Sequence, residues 1–311
     1  MRKDLTQLFE EFISECRYSR RLRPETIKSY ITVFQHFCTT MPEIDSTQLI
    51  STQILHEFFK RIQTRRRLIG RDRFKVGLRD STLKTYSNKL NAFFVWLVQK
   101  RLIPENPLDY VKLRTPEYVD QRALPNEEIQ KLYASVVLNS RGNSLLQSRD
   151  TVMISILFFC GLRKGEFISL RVTDIDFKER VLTVRAETSK SKRTRYVPIH
   201  PTLYYHLESY FKERNRLGYK TQLLIVSNNQ DKGLSVFGLK HWTENHIKKS
   251  GIKFHLHRFR HSFACNLAKN GVHIVKIQKL MGHADIKMTQ TYLRSISMED
   301  TRDDIGKLSF G

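Results

Sequence analysis

The sequence predicts a mainly α protein, in which a helical N-terminal domain precedes an α+β domain carrying one small antiparallel sheet. Three observations predict this. Apolar residues recur at helical spacing from the start, as in Leu5, Leu8, Phe9, Phe12 and Ile13. Two short runs, Val181-Leu182-Thr183-Val184-Arg185 and Thr194-Arg195-Tyr196-Val197-Pro198-Ile199, flank a polar turn and read as a hairpin. Pro104, Pro107 and Pro116 punctuate the middle of the chain, so that 1–113 reads as the helical domain, 114–123 as a linker and 124–311 as the second domain. At 311 residues in all, each domain is long enough to bury its own core.

The elements follow in order. A first helix covers Leu5 to Ile13. A second begins at Pro24, after the basic stretch Arg20-Arg21-Leu22-Arg23; proline suits a first helical turn, where its missing N–H costs nothing. A third lies around Ile54 to Phe59. The stretch from Arg65 to Lys75 contains Gly70, is followed by Gly77, and is expected to be a basic loop. A fourth helix starts with Asp80 or Ser81 as its N-cap and runs through Leu90, Phe93, Phe94 and Leu97. In the second domain the apolar run Val152 to Phe159 reads as a buried helix ending at Gly161. A new helical pattern then begins with Arg163 in its first turn. The hairpin follows, with Lys190 and Lys192 at its tip, and a short helix is expected around Met298 to Ile305.

Charge narrows the function. Lys and Arg number 54 against 31 Asp and Glu, a formal net charge of +23. So large an excess implies a polyanionic partner, of which double-stranded DNA is the usual one. The four cysteines (Cys16, Cys38, Cys160, Cys265) show no paired spacing, so they read as reduced thiols rather than a disulfide framework or zinc site. No segment reaches membrane-spanning length, and Met1-Arg2-Lys3-Asp4-Leu5 lacks the apolar stretch of a signal peptide. A cytoplasmic protein with no membrane partner is therefore expected.

The chemistry is concentrated near the C-terminus. His257-Arg258-Phe259-Arg260 is followed by Leu280-Met281-Gly282-His283 and then by Thr291-Tyr292. Paired guanidinium N–H groups hold phosphate, imidazoles transfer protons near neutral pH, and a phenol can bond covalently to phosphorus. A second arginine, Arg163, stands at a helix junction in Gly161-Leu162-Arg163-Lys164-Gly165-Glu166, held by a buried element yet directed outward. A lysine on the hairpin tip can reach a DNA strand. His257 and His261, four apart, also suggest a metal pair, but no glutamate follows His257 and no third ligand stands at suitable spacing.

Arg163, the hairpin lysine, His257-x-x-Arg260, Gly282-His283 and Tyr292 together resemble the catalytic signature of the tyrosine recombinases, or phage-type integrases. The local words agree. Gly161 to Glu166 resembles the first arginine box, His257 to Ala264 the second, and Leu280 to Ala284 with Thr289 to Tyr292 the third box and nucleophile. The resemblance spans Leu124 to Tyr292, with a weaker match before it, and the compact N-terminal half is similar to the Xer-like branch. It implies a core-binding domain over 1–113 and a catalytic domain over 124–311, which together grip opposite faces of a duplex. It also implies a site-specific recombinase acting through a 3′-phosphotyrosyl intermediate, with no cofactor, neither metal nor ATP.

By the same resemblance Tyr292 is the nucleophile and Arg163 and Arg260 hold the scissile phosphate; the H-x-x-R spacing selects Arg260 over Arg258. Lys190 protonates the leaving oxygen, with Lys192 as its alternative. His257 is the acid/base partner of the nucleophile, His283 a hydrogen-bond donor to phosphate, and Glu166 a support. A homotetramer on two DNA sites is implied, with the tail after Tyr292 docked on a neighbouring protomer. Type IB topoisomerase-like relaxation and a non-catalytic DNA-binding regulator are the rival readings. A regulator would be expected to lack catalytic residues, and none is missing; the compact helical domain and the hairpin-to-box spacing favour the recombinase.

Overall fold

The computed structural model describes residues 4–69, 73–114, 123–228 and 230–293. Most of the predicted linker and the predicted helix around Met298 to Ile305 lie outside the described residues. The chain divides into two compact units, Met1–Tyr118 and Val119–Gly311.

The first unit is a helical bundle built on aromatic packing. Its helices are α1 (Leu5–Tyr18), α2 (Pro24–Thr40) and α3 (Thr52–Thr64); a hairpin of β1 (Arg66–Ile69) and β2 (Arg73–Val76) follows, and then α4 (Asp80–Gln99). The start of α1 is held by a capping box, in which Asp4 accepts from the Gln7 N–H and the Gln7 side chain accepts from the Asp4 N–H. Pro24 opens α2 as expected. The N-cap of α4 is Arg79, one residue before Asp80 and two before Ser81, which puts Asp80 in the first turn where the helix dipole favours an anion. In the core the Phe9 and Phe34 rings stack at 3.8 Å and Phe93 meets Phe9 edge-on at 5.2 Å. Buried rings of this size contribute the largest apolar areas a core can hold.

The predicted basic loop is in fact the β1–β2 hairpin, antiparallel with Arg66 opposite Val76 and Leu68 opposite Phe74. Its strands pair with each other and not with a core-covering sheet. Its apolar alternation is confined to Phe74-Lys75-Val76, too short to stand out, and the arginines concealed the strand pattern.

The second unit contains α5 (Asn126–Asn139), α6 (Ser144–Cys160) and the short α7 (Lys164–Ile168). A three-stranded sheet follows, β3 (Ile175–Asp176), β4 (Val181–Val184) and β5 (Arg195–Pro198), then α8 (Pro201–Arg216), α9 (Val236–Ser250), α10 (Leu256–Lys269), α11 (Ile274–Met281) and α12 (Lys287–Leu293). The expected hairpin is β4–β5, with Leu182 opposite Val197, and β3 adds a short third antiparallel strand. Helix α6 is the axis of this unit. Val152, Met153, Ile154, Ile156 and Leu157 are all fully buried, so the second half of the helix is apolar all round. The one hydroxyl in that run, on Ser155, donates to the Thr151 carbonyl and pairs with Tyr133 and His206. Full burial of each such aliphatic side chain stabilises the fold by about 1.5–3 kcal/mol, which makes the C-terminal end of α6 a firm mount.

Candidate active site

That end of α6 is where the site begins. Gly161 terminates the helix at φ +56°, the left-handed conformation that glycine adopts without a Cβ penalty. A Cβ at this position would lie 2.3 Å from Phe263 Cδ1, so glycine also lets α6 and α10 approach. The chain then turns so that Arg163 becomes the N-cap of α7, and its backbone N–H donates to Glu166 Oε2 at 2.8 Å.

Glu166 organises the cations around it. It is 1% exposed, and its carboxylate accepts from Arg163 Nη1 at 3.0 Å and from both terminal nitrogens of Arg195, at 3.0 and 2.7 Å. Burial alone would raise the carboxyl pKa; the bidentate Arg195 and the neighbouring Arg163 outweigh burial and hold it at about 2. Arg195 is the residue that sequence reasoning missed. Along β5 it alternates inward with Val197, so a charge sits on the buried face of a strand, and that is the signal that would have found it.

Three arginines converge on the C-terminal end of α11. Arg195 Nε donates to the Leu280 carbonyl at 2.8 Å, Arg260 Nη2 to that of Met281 at 2.5 Å, and Arg163 Nη2 to that of Gly282 at 3.2 Å. The last carbonyls of a helix have no intrahelical donors and carry the negative end of its dipole. Here they receive guanidinium groups from α7, β5 and α10. Arg260, 2% exposed, also donates to the Gly161 carbonyl at 2.6 Å. Burial first, then the charge of Arg163, destabilises its cationic form. Arg258 is directed elsewhere, to Glu128 at 3.2 Å and the Lys253 carbonyl at 2.7 Å.

His283 follows Gly282, which is left-handed at φ +63°. Its Nε2 lies 3.0 Å from Arg260 Nη2, and its Nδ1 2.8 Å from Thr289 Oγ1. Arginine only donates, so Nε2 accepts, and the imidazole proton is assigned to Nδ1, facing Thr289. Burial and the three surrounding arginines push His283 down to about 4, which keeps the ring neutral. The buried ring of Tyr292 on α12 stacks on His283 at 5.9 Å and packs against His261 at 5.1 Å. Burial pushes the Tyr292 phenol above its usual value, while Arg260 and Arg163 pull the other way.

His257 is exposed in the first turn of α10, its pKa lowered by partial burial and then by Arg260. The structure thus collects Arg163, Arg260, His283 and Tyr292 around the end of α11, with His257 within the field of the same two arginines. Lys190 is exposed on the β4–β5 turn, and Lys192 beside it has φ +53°. Between this turn and the end of α11 lies a cavity of about 610 Å³, lined by Arg193, Arg195, Lys279 and His283. Of the two histidines four apart, His261 is buried with Nε2 at 3.3 Å from Cys265 Sγ. His255 and His273 cap α10 and α11, each accepting a backbone N–H.

The chain is similar to several known proteins. The profile of the phage integrase family matches residues 122–298. A tyrosine recombinase of Pseudothermotoga lettingae is 28% identical over 312 aligned residues, which span 98% of this chain and 99% of that protein. The tyrosine recombinase XerC of Proteus mirabilis is 27% identical over 291 residues, 93% of this chain and 89% of that protein. Among solved structures, the Tn1549 transposon integrase in complex with a circular intermediate DNA superposes with a TM-score of 0.76 at 18% identity, covering 99% of this chain and 100% of that one. The XerH site-specific recombinase bound to its difH substrate gives 0.69 at 20% identity, covering 97% and 84%.

Proposed function

The chain belongs to the phage integrase family, and on that premise we propose that it is a site-specific DNA recombinase that cleaves and rejoins strands through Tyr292. One observation carries the residue assignments. Three guanidinium groups are hung on successive carbonyls at the end of α11, beside a buried tyrosine that stacks on His283.

In the cleavage step the Tyr292 phenolic oxygen attacks the scissile phosphorus and its proton passes to His257. The P–O5′ bond breaks as the new 3′-phosphotyrosyl bond forms, and Lys190 gives a proton to the departing 5′ oxygen. The reverse sequence joins a 5′-hydroxyl from another strand, so the phosphodiester energy is kept in the covalent link. Arg163 and Arg260 hold the non-bridging oxygens and offset the charge that develops on them. Their backing by Glu166 and the α11 carbonyls fixes them before DNA arrives, so little reorganisation is needed in the reaction. The elevated pKa of Tyr292 means that the phenol enters protonated, which is why a base is required. His283 accepts from Arg260 in the free protein; donating to phosphate requires its proton to move to Nε2.

Double-stranded DNA is the partner, supported by the family, by the excess of basic residues and by the DNA-bound neighbours. A homotetramer on two sites, a cytoplasmic location and the division into a core-binding domain over 1–113 and a catalytic domain over 124–311 belong to the same proposal. Among the described residues no helix is long and apolar enough to cross a membrane.

The test is a suicide substrate. Wild type and Tyr292→Phe are incubated, without metal, with nicked duplexes carrying candidate sites and resolved on a denaturing gel. A protein–DNA adduct with wild type and none with the variant is expected. An adduct that persists in Tyr292→Phe removes this residue as nucleophile, and supercoil relaxation on any sequence would instead favour the topoisomerase reading.

A further inference from the structure

The β1–β2 hairpin projects one face that the fold leaves uncovered. Directly opposed residues share a face, so Arg66 with Val76 and Leu68 with Phe74 form one side, and Arg67 with Lys75 the other. Leu68, Phe74 and Val76 are 59, 61 and 67% exposed, an apolar surface of the kind that marks a binding face when contiguous. The Arg66 guanidinium lies over the Phe74 ring at 4.6 Å, which fixes a cation beside that surface.

The hairpin is also anchored at its base. Arg67 Nη2 donates to the Gly77 carbonyl at 2.7 Å, and the Gly77 N–H to the Arg65 carbonyl at 3.0 Å. Gly77 is left-handed at φ +67°, and a Cβ there would come within 2.3 Å of the Gln63 carbonyl oxygen on α3. The ribbon is therefore mounted tightly on α3. From Arg65 to Lys75 the sequence has six arginines and lysines, both ends included, against one acid, Asp72, so the partner must be anionic.

We propose that this hairpin is a DNA-reading element lying in the major groove, with Leu68, Phe74 and Val76 against thymine methyl groups and Arg66 and Lys75 toward the bordering phosphates. Three physical facts select this partner and this groove. Charge complementarity selects a polyanion. Two paired strands are about 5 Å apart, and with side chains they fit a groove about 12 Å wide but not the minor groove of about 6 Å. The thymine methyl is the apolar feature that the major groove offers to an exposed phenylalanine and leucine. The hairpin thus adds sequence preference at positions separate from the scissile phosphate. This inference rests on the reading of the chain as a DNA recombinase.

The test uses the full chain. Wild type, Leu68→Ser/Phe74→Ser and Arg66→Gln/Lys75→Gln each select sites from a randomised duplex library, and their affinities for the wild-type site are measured across a salt series. The exposed positions leave the fold intact, which thermal unfolding checks. The apolar variant is expected to lose thymine preference at adjacent positions and roughly tenfold in affinity, with an unchanged salt slope. The charge variant is expected to weaken binding to all duplexes alike and to reduce the slope of log K against log salt by about 1 per residue. If wild type selects a site and both variants select the same site with the same affinity and slope, the inference is overturned and the face belongs to a protein contact. If wild type binds no duplex at all, the recombinase reading falls with it.

Discussion

At the residue scale the site depends on a buried carboxylate. An isolated Glu166 in this position would be costly, and its ionised state is sustained by Arg195 and Arg163. Replacing Arg195 with methionine keeps the volume but strands the charge, so a loss of about 3–5 kcal/mol in urea unfolding is expected. Arg195→Lys should recover part of it, since one ammonium replaces a fork. The pH dependence has a definite sign. His283 stays neutral in the fold down to about 4 while the unfolded ring takes a proton near 6.5, so its contribution is lost as pH falls from about 6.5 towards 4. Glu166, held at about 2 against an ordinary 4.5, contributes above about 4.5 and is lost as pH falls towards 2. Each amounts to something on the order of 3 kcal/mol. Denaturant midpoints at pH 7, 5 and 3.5 should therefore fall in two stages, and His283→Gln should flatten the first. A wild-type midpoint unchanged between pH 7 and 5 would contradict the His283 assignment.

At the element scale, helix ends do the positioning. The C-terminus of α6 supplies the Gly161 carbonyl to Arg260, and that of α11 supplies carbonyls to all three arginines. Gly161→Ala adds a Cβ against Phe263 to a left-handed backbone that costs about 1–2 kcal/mol for other residues. A loss of about 2 kcal/mol or more is expected, with slower strand cleavage as the Gly161 carbonyl shifts from Arg260. Gly165→Ala is the control: a helical glycine with open space around its Cβ, it should be neutral or stabilising by up to about 1 kcal/mol. Thermal unfolding of the two variants separates the cases, and an equal effect would refute the close-approach argument.

At the scale of the whole molecule, the two units have separate cores, one centred on Phe9, Phe12 and Phe93, the other on α6. Each holds one of the two tryptophans, Trp96 bonded to Glu15 at 2.8 Å and Trp242 packed on Phe254. Trp242→Phe leaves a reporter for the first unit and Trp96→Phe one for the second. Fluorescence unfolding in urea is expected to give different midpoints for the two reporters, as two domains of unequal stability would. Coincident transitions, matched by circular dichroism, would show a single cooperative block.

The sequence by itself determined the fold class and the order of the motifs, and it singled out Arg163, His257, Arg260, His283 and Tyr292 as candidates, because these lie in short words whose spacing is local. It also marked Gly161 as the end of a buried helix. Only the tertiary structure decided what holds those residues. Arg195 meets Glu166 across 29 positions and Leu280 across 85, and no local pattern encodes such a pairing. The β1–β2 hairpin escaped for a different reason: its strands satisfy each other's hydrogen bonds outside any core, and the alternation of Phe74-Lys75-Val76 is too short to mark a strand among so many arginines.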